Sequence, residues 1–346
     1  MWSSWWLPLS DGLYIFAVTR DSLKIYHPGV TKTNLNLSIR SYRTAIDEDI
    51  KRLGRGETPF SIDDNSTPLR QSAEQLSKWL LEPVKQEIGA AKVVAIVPSG
   101  ELFYLPFHAL GEAQPDGKWQ FLIEEKPMAY LAKGDVLSIA QTRNVENTSQ
   151  GVLALGDPTG ADLPAAKTEV EEIARIFPNS KAFTGAGASK MVLLQPGNRD
   201  KRVLHLAAHG VLNSAAPEQS YIQLSPEGAD DGKLRVGEIL GIDLNRVDLV
   251  TLSACQTALG KGNPDGSEIS SLAQSFSTAG TPSVIASLWN VEDNSTAKLM
   301  ETFYSELAKE TPKGVALQRA QVALLKDAKT RNPVFWAPFE LLGDWR

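Results

Sequence analysis

The sequence predicts an α/β fold, a mostly parallel sheet flanked by helices on both faces. Three observations carry this. Short, uninterrupted apolar runs such as KVVAIVP, GVLALGDP, RVLHLAAHG, DLVTLSAC and SVIASLW have the form of strands buried on both sides. Between them lie stretches whose apolar residues recur every three to four positions, as on one face of a helix. Polar, potentially reactive side chains then fall at the carboxyl ends of the runs, where open α/β sheets gather their functional groups.

Length and composition bound the class. At about 150 residues per domain, 346 residues suggest two domains. Hydrophobic content of 42% and charged content of 22% are those of a globular chain. A net charge of -6 excludes a broadly basic nucleic-acid-binding face. The single cysteine, Cys255, excludes an intrachain disulfide and a multi-cysteine metal site, and it fits a reducing cytoplasm. No run approaches the roughly 20 apolar residues of a membrane span, and MWSSWWLPLSDG lacks the basic and apolar regions of a signal peptide. Trp2, Trp5 and Trp6 are read as packing on their own domain or on a neighbour rather than on a membrane.

In chain order, LYIFAV and LKIYH form a hairpin across TRDS. Ile39, Tyr42, Ile46, Ile50 and Leu53 mark one face of a helix, and GRGETPFSIDDNSTP is a loop. Leu76, Trp79 and Leu80 restart a helical pattern that Pro83 interrupts. KVVAIVPSG is a buried strand, and ELFYLPFHAL is apolar, packed and irregular around Pro106. The polar run Gln141–Gln150 is the predicted boundary, giving domains 1–145 and 146–346. Beyond it, the strand GVLALGDP precedes a helix carrying Val170, Ile173, Ala174 and Phe177. KAFTG, a short helix, RVLHLAAHG and DLVTLSAC follow. A Gly-rich loop leads to a helix with Ile269, Leu272, Ala273 and Phe276, then SVIASLW. Two closing helices carry Met300, Phe303, Tyr304 and Leu307, then Leu317, Leu324 and Leu325.

Two strand ends point to chemistry. A thiol with its ordinary pKa of about 8.5 is mostly protonated at neutral pH, and a neighbouring imidazole lowers that pKa and shuttles the proton. Cys255 and His209, 46 positions apart, each end an apolar strand. Gly210 follows the histidine, so its backbone N–H and that of Cys255 are candidate oxyanion donors. The competing account makes Cys255 a small buried hydrophobe and His209 a turn residue. His205 and His209 share a strand face but lie about 13 Å apart at strand spacing, too far for one metal ion; His205 is read as a core-facing residue that orients the site. GAGASK lacks the third glycine of a dinucleotide loop and is read as a tight turn, leaving a nucleotide-binding protein as a distant alternative. Asp265, Glu268, Glu292 and Asp293 bracket the strand and helix after the cysteine, as helix caps or as the lining of a pocket for a basic side chain. His27 and His108 have no partner pattern and are read as structural.

HLAAHGVLNSAAPEQSYIQL, VDLVTLSACQTALGKG, SVIASLWNVEDNSTAKLMETFYSEL, FWAPFELLGDW and, in the first half, IVPSGELFYLPFHALG together resemble the CHAT domain, the caspase HetF associated with tetratricopeptide repeats. Around the cysteine the chain reads S-A-C-Q-T, against the caspase pattern Q-A-C-[RQG]-G with its histidine about 50 residues upstream. The resemblance implies a caspase-like and separase-like cysteine peptidase, with His209 as general base and Cys255 as nucleophile. It further implies a non-catalytic caspase-like lobe over 1–145 and an active lobe over 146–346. No metal or organic cofactor is implied. The implied partners are a protein substrate and a regulatory tetratricopeptide-repeat or other sensor module, with no nucleic acid and no membrane span; such a module allows this chain to be the peptidase end of a longer protein, with the N-terminal tryptophans as a docking surface. Ser267 stands where many family members carry Glu. Ser253 stands where caspases place Gln and metacaspases Asp, and this small neutral residue, with Glu292 and Asp293, points to a basic or uncharged P1 side chain. The connection Val211–Val247, with APEQ and EGADDGK, is where activating cleavage is expected. The alternative function is a catalytically silent CHAT-fold interaction module in a signalling assembly.

Overall fold

The computed structural model describes residues 2–9, 12–131, 150–161, 163–213, 215–253, 255–256, 267–289 and 293–346. The first half supplies strands β1 (Trp2–Leu9), β2 (Gly12–Val18), β3 (Leu23–Tyr26) and β4 (Val94–Val97). A small hairpin of β5 (Gly111–Ala113) and β6 (Trp119–Phe121) precedes β7 (Met128–Tyr130). Between β3 and β4 lie helices α1 (Lys32–Gly54) and α2 (Pro68–Leu80). Thr31 and Thr67 cap them, each side chain accepting from a backbone N–H three residues on. The apolar stripe of α1 is buried through Leu35, Ile39, Tyr42 and Ile46. Pro83 does stop the second helix, in a 3₁₀ turn after Leu80, before a short helix restarts at Lys85. ELFYLPFHAL is two 3₁₀ turns with Leu102, Leu105, Phe107 and Leu110 buried.

The second half supplies β8 (Val152–Pro158), β9 (Lys181–Gly185), β10 (Val203–Ala207), β11 (Gly210–Val211), β12 (Tyr221–Gln223) and β13 (Lys233–Arg235). After these come β14 (Leu249–Leu252), β15 (Cys255–Gln256), β16 (Ser283–Ser287) and β17 (Phe339–Gly343). Its longer helices are α3 (Pro164–Ile176), α4 (Ser267–Thr278), α5 (Asp293–Leu307) and α6 (Lys313–Leu325).

Among the described residues, eleven strands form one sheet in the order β3-β2-β1-β4-β7-β17-β16-β14-β10-β8-β9. Seven of its ten neighbouring pairs run parallel; β1–β2, β2–β3 and β16–β17 are antiparallel. The sheet is continuous across both halves because the C-terminal β17 lies between β7 and β16. The expected boundary at 141–150 falls almost wholly outside the described residues. The N-terminal tryptophan segment is an inner strand, paired with β2 on one side and β4 on the other. Its WSSWW pattern lacks the alternation that marks a strand, and its pairing partners are distant in sequence.

Strand alternation sorts the core onto two faces. Val152, Ala154, Val203, Ala207, Leu249 and Ile285 join one cluster with residues of α1, α2, α3, α5 and α6. Leu153, Leu155, Leu204, Leu206, Val250, Leu252, Val284 and Ala286 join a second, with Leu272, Ala273 and Phe276 of α4 and the core of β12 and β13. Polar ties also join the halves. Arg331 makes a two-pronged ion pair with Asp63, and Asn332 donates to Asp49 at 2.8 Å. Arg43 of α1 is buried over the Trp289 ring, 4.7 Å from its centroid, and donates to the Leu288 carbonyl just beyond β16.

His108 is structural, as read from sequence. It is buried, with Nδ1 2.8 Å from the Tyr130 hydroxyl, and burial pushes its imidazole down to about 3 from 6.5. A base that charges less readily folded than unfolded gives its full contribution above the unfolded pKa. That contribution is lost as pH falls from about 6.5 towards 3. Buried Glu340, to which Tyr130 donates, is displaced the opposite way and is held protonated well above the usual carboxylate range. The difference between variant and wild type therefore isolates the imidazole. His108→Gln should flatten the acid limb of stability against pH between about 6.5 and 3, read as urea midpoints; equal acid slopes in the two proteins would contradict this.

Candidate active site

The site is built where β10 and β14, neighbours in the main sheet, run out together. Their register pairs Val203 with Leu249 and Leu206 with Leu252. Past these ends each chain enters a smaller sheet, in the order β13-β12-β11-β15. There Gly210 pairs in parallel with Cys255, and Val211 with Gln256. The residue after the candidate base thus lies beside the candidate nucleophile on adjacent strands, about 4.8 Å apart at normal sheet spacing. The two sequence-predicted catalytic positions are brought together at the backbone level.

His209 sits at the junction of β10 and β11, half-buried. Its Nε2 lies 2.9 Å from the carbonyl oxygen of Ala161. A carbonyl only accepts, so Nε2 carries the proton and the lone pair of the neutral ring is on Nδ1. Nδ1 is itself buried and has no hydrogen-bond partner among the described residues. An unpaired buried acceptor is costly and uncommon, and sites of chemistry are where such atoms are kept. Nδ1 is therefore the ring nitrogen left open by the described residues.

The backbone of Gly210 is oriented as well. The His209 carbonyl accepts from Gln223 N–H at 2.8 Å, which makes Gly210–Ile222 the non-hydrogen-bonded pair of that antiparallel ladder. The Gly210 N–H consequently points away from β12, to the side on which Cys255 runs.

Beneath these residues lies a buried polar cluster. His205, Thr251 and Ser253 share the strand parity that faces α3 and α5, and all three are buried. The Tyr304 hydroxyl of α5 donates to Thr251 Oγ1 at 2.8 Å and lies 3.0 Å from His205 Nδ1. Burial drives the Tyr304 phenol far above its ordinary pKa, keeping it protonated. His205 Nε2 lies 2.8 Å from Glu169 Oε1, off hydrogen-bond alignment. Ser253 Oγ donates to the same carboxylate oxygen at 2.6 Å. Ser253 is thus engaged inward. Sequence reading placed it among substrate contacts and missed Glu169 altogether.

Of the other residues singled out by sequence, Asp265 and Glu292 lie outside the described residues, as do the side chains of Glu268 and Asp293. The backbone of Asp293 begins α5. GAGASK is a turn region: Gly187 and Ala188 N–H close back on Thr184 and Gly185. Lys190 is buried and ion-paired with Asp230 and Glu238, each at 2.8 Å, so its charge is committed to the fold. In the Val211–Val247 connection, Glu218 and the turn 226–229 are exposed. No cluster of metal-ligating side chains and no helix long and apolar enough to cross a membrane occurs among the described residues.

Several solved structures are similar to this chain. The Arg-specific cysteine proteinase gingipain R is similar over 82% of this chain and 69% of its own, with a TM-score of 0.50 at 11% identity. The complex of Porphyromonas gingivalis RgpB pro- and mature domains matches over 83% of this chain and 71% of that one, with a TM-score of 0.47 at 13% identity. The Saccharomyces cerevisiae separase–securin complex matches over 72% of this chain and 15% of that one, with a TM-score of 0.49 at 12% identity. A search of the curated proteins finds no match. The fold is caspase-like, a mostly parallel sheet flanked by helices. A family model described as the CHAT domain matches residues 70–344, most of the length, and the chain belongs to the CHAT domain family.

Proposed function

We propose that this chain is a cysteine endopeptidase that cleaves a protein substrate through His209 and Cys255. The observation that carries the reading is the state of His209: its Nε2 proton is tied to the Ala161 carbonyl, its Nδ1 has no hydrogen-bond partner among the described residues, and the residue after it pairs with Cys255. In the reaction, Nδ1 takes the thiol proton and the Cys255 sulfur attacks the scissile carbonyl carbon. The oxyanion so formed is received by the backbone N–H groups of Gly210 and Cys255. Collapse breaks the C–N bond, the imidazolium gives its proton to the leaving amine, and a thioester remains. Water, deprotonated by His209, then releases the acid and restores the thiol.

The first 145 residues serve as the non-catalytic lobe, completing the sheet on which the site rests. Glu292 and Asp293 are the residues for which we propose contact with a basic P1 side chain. A protein carrying tetratricopeptide repeats or another sensor is the proposed regulator, in the cytoplasm.

The test is the reactivity of the lone thiol. At pH 7, iodoacetamide should alkylate Cys255 of the native chain faster than that of the heat-denatured chain, with thioether formation and loss of iodide followed by intact mass. The advantage should disappear in His209→Ala. Equal rates in all three would contradict an activated thiolate and favour the silent interaction module.

A further inference from the structure

The segment 157–169 touches His209 and, two residues before Cys255, Ser253, and no reading of the sequence assigned it a role. Asp157, in the left-handed region at φ 45°, accepts from Leu163 N–H at 3.1 Å and closes the loop before α3. Within that loop the Ala161 carbonyl holds His209 Nε2. On α3, packed on the sheet, stands Glu169. Close approach of this helix requires Gly156, where a Cβ would lie 2.7 Å from both the Ala166 carbonyl oxygen and Val170 Cγ1. The Glu169 carboxylate is 4% exposed and takes the Ser253 hydroxyl at 2.6 Å. Ser253 N–H in turn donates to Leu206 O at 3.0 Å, so this residue is fixed at both its backbone and its side chain. Cys255 is two residues further on.

A carboxylate among apolar side chains is costly to bury without partners. Here the Ser253 hydroxyl donates to it, and His205 Nε2 lies 2.8 Å away off hydrogen-bond alignment; both residues belong to the strands that end in the site, Ser253 on the path to Cys255 and His205 on the path to His209. We propose that Glu169 is a positioning residue, whose carboxylate anchors Ser253 and thereby sets the turn that presents Cys255 to His209, while the loop leading into the same helix sets the His209 tautomer. This rests on the peptidase reading above and makes α3 the common support of nucleophile and base.

The test uses the full chain as wild type, Glu169→Ala, Glu169→Gln and Ser253→Ala, with far-UV circular dichroism to confirm folding. Alkylation of Cys255 by iodoacetamide and hydrogen exchange of the peptide spanning 253–256 are measured side by side. Displacement of a reacting group by about 1 Å costs about 100-fold; Glu169→Ala and Ser253→Ala should therefore slow alkylation about 10- to 100-fold and speed exchange at 253–256. Glu169→Gln keeps an acceptor for Ser253 and should recover most of both, a rescue that general destabilisation would not give. Ser253→Ala removes one hydroxyl and keeps the measurement available where the Glu169 variants misfold. Wild-type alkylation and exchange rates in both alanine variants would overturn the inference. If wild-type Cys255 is no more reactive than in the denatured chain, the peptidase reading fails, and exchange at 253–256 alone decides the positioning role: faster in the alanine variants supports it, unchanged overturns it.

Discussion

His209→Ala should lower peptide hydrolysis by about 100- to 10,000-fold, the range for loss of a positioned general base, with a loss of stability of only about 1 kcal/mol. The small structural effect follows from what the side chain does. It is half-buried, and its one hydrogen bond among the described residues goes to the Ala161 carbonyl. Such a bond contributes about 1 kcal/mol. The large kinetic effect follows from Nδ1, which has no hydrogen-bond partner among the described residues. Cys255→Ala should abolish hydrolysis altogether, because no other thiol exists in the chain. Rates with a peptide library, beside urea midpoints of the same variants, check both. A His209 variant that loses several kcal/mol of stability and keeps its residual rate would make the residue a core histidine instead.

Trp336→Ala should cost about 3–5 kcal/mol of unfolding free energy, the usual loss for a buried tryptophan truncated in a core. Trp336 is fully buried. Its ring meets Phe121 edge-on with centroids 4.9 Å apart, lies 5.9 Å from His108, and donates its Nε1–H to the Arg331 carbonyl at 3.2 Å. Phe121 and His108 belong to the first half of the chain, while Trp336 leads into β17, the strand on which continuity of the sheet depends. Truncation thus opens a cavity at the seam between the halves. Trp336→Phe keeps much of the ring contact and should cost less. Urea unfolding gives both values; a loss below about 1 kcal/mol for the alanine variant would show that the seam is held elsewhere.

Much of the second half was legible because its strands are buried on both sides and its helices on one, so hydrophobic periodicity reports them directly. The ends of RVLHLA and DLVTL located His209 and Cys255, and ELFYLPFHAL was packed and irregular as its apolar run broken by Pro106 implied. What the sequence hid was long-range pairing. Nothing local in WSSWWLPL announces a strand between β2 and β4, and nothing in FELLG announces insertion between β7 and β16. The role of Ser253 was obscured for a different reason. Its place just before the cysteine suggested substrate, yet parity along Leu249, Thr251 and Ser253 turns it to the face that His205 occupies. Glu169 left a signal too: an acidic residue one position before Val170 and four before Ile173 sits within the apolar stripe of its helix, which marks a carboxylate with buried partners. The Ala161 carbonyl left none, since any residue supplies one.

Covalent capture of Cys255 by a peptidyl acyloxymethyl ketone tests the central claim most directly. The thiolate forms a thioether with the ketone's methylene carbon and the acyloxy group leaves as a carboxylate, a reaction that needs an activated nucleophile held beside a bound peptide. Intact mass should show one adduct, mapped to Cys255, on the native chain at pH 7, and little on His209→Ala or on the heat-denatured protein. Equal labelling of native, variant and denatured chains would contradict the account and leave a caspase-like fold with an ordinary thiol.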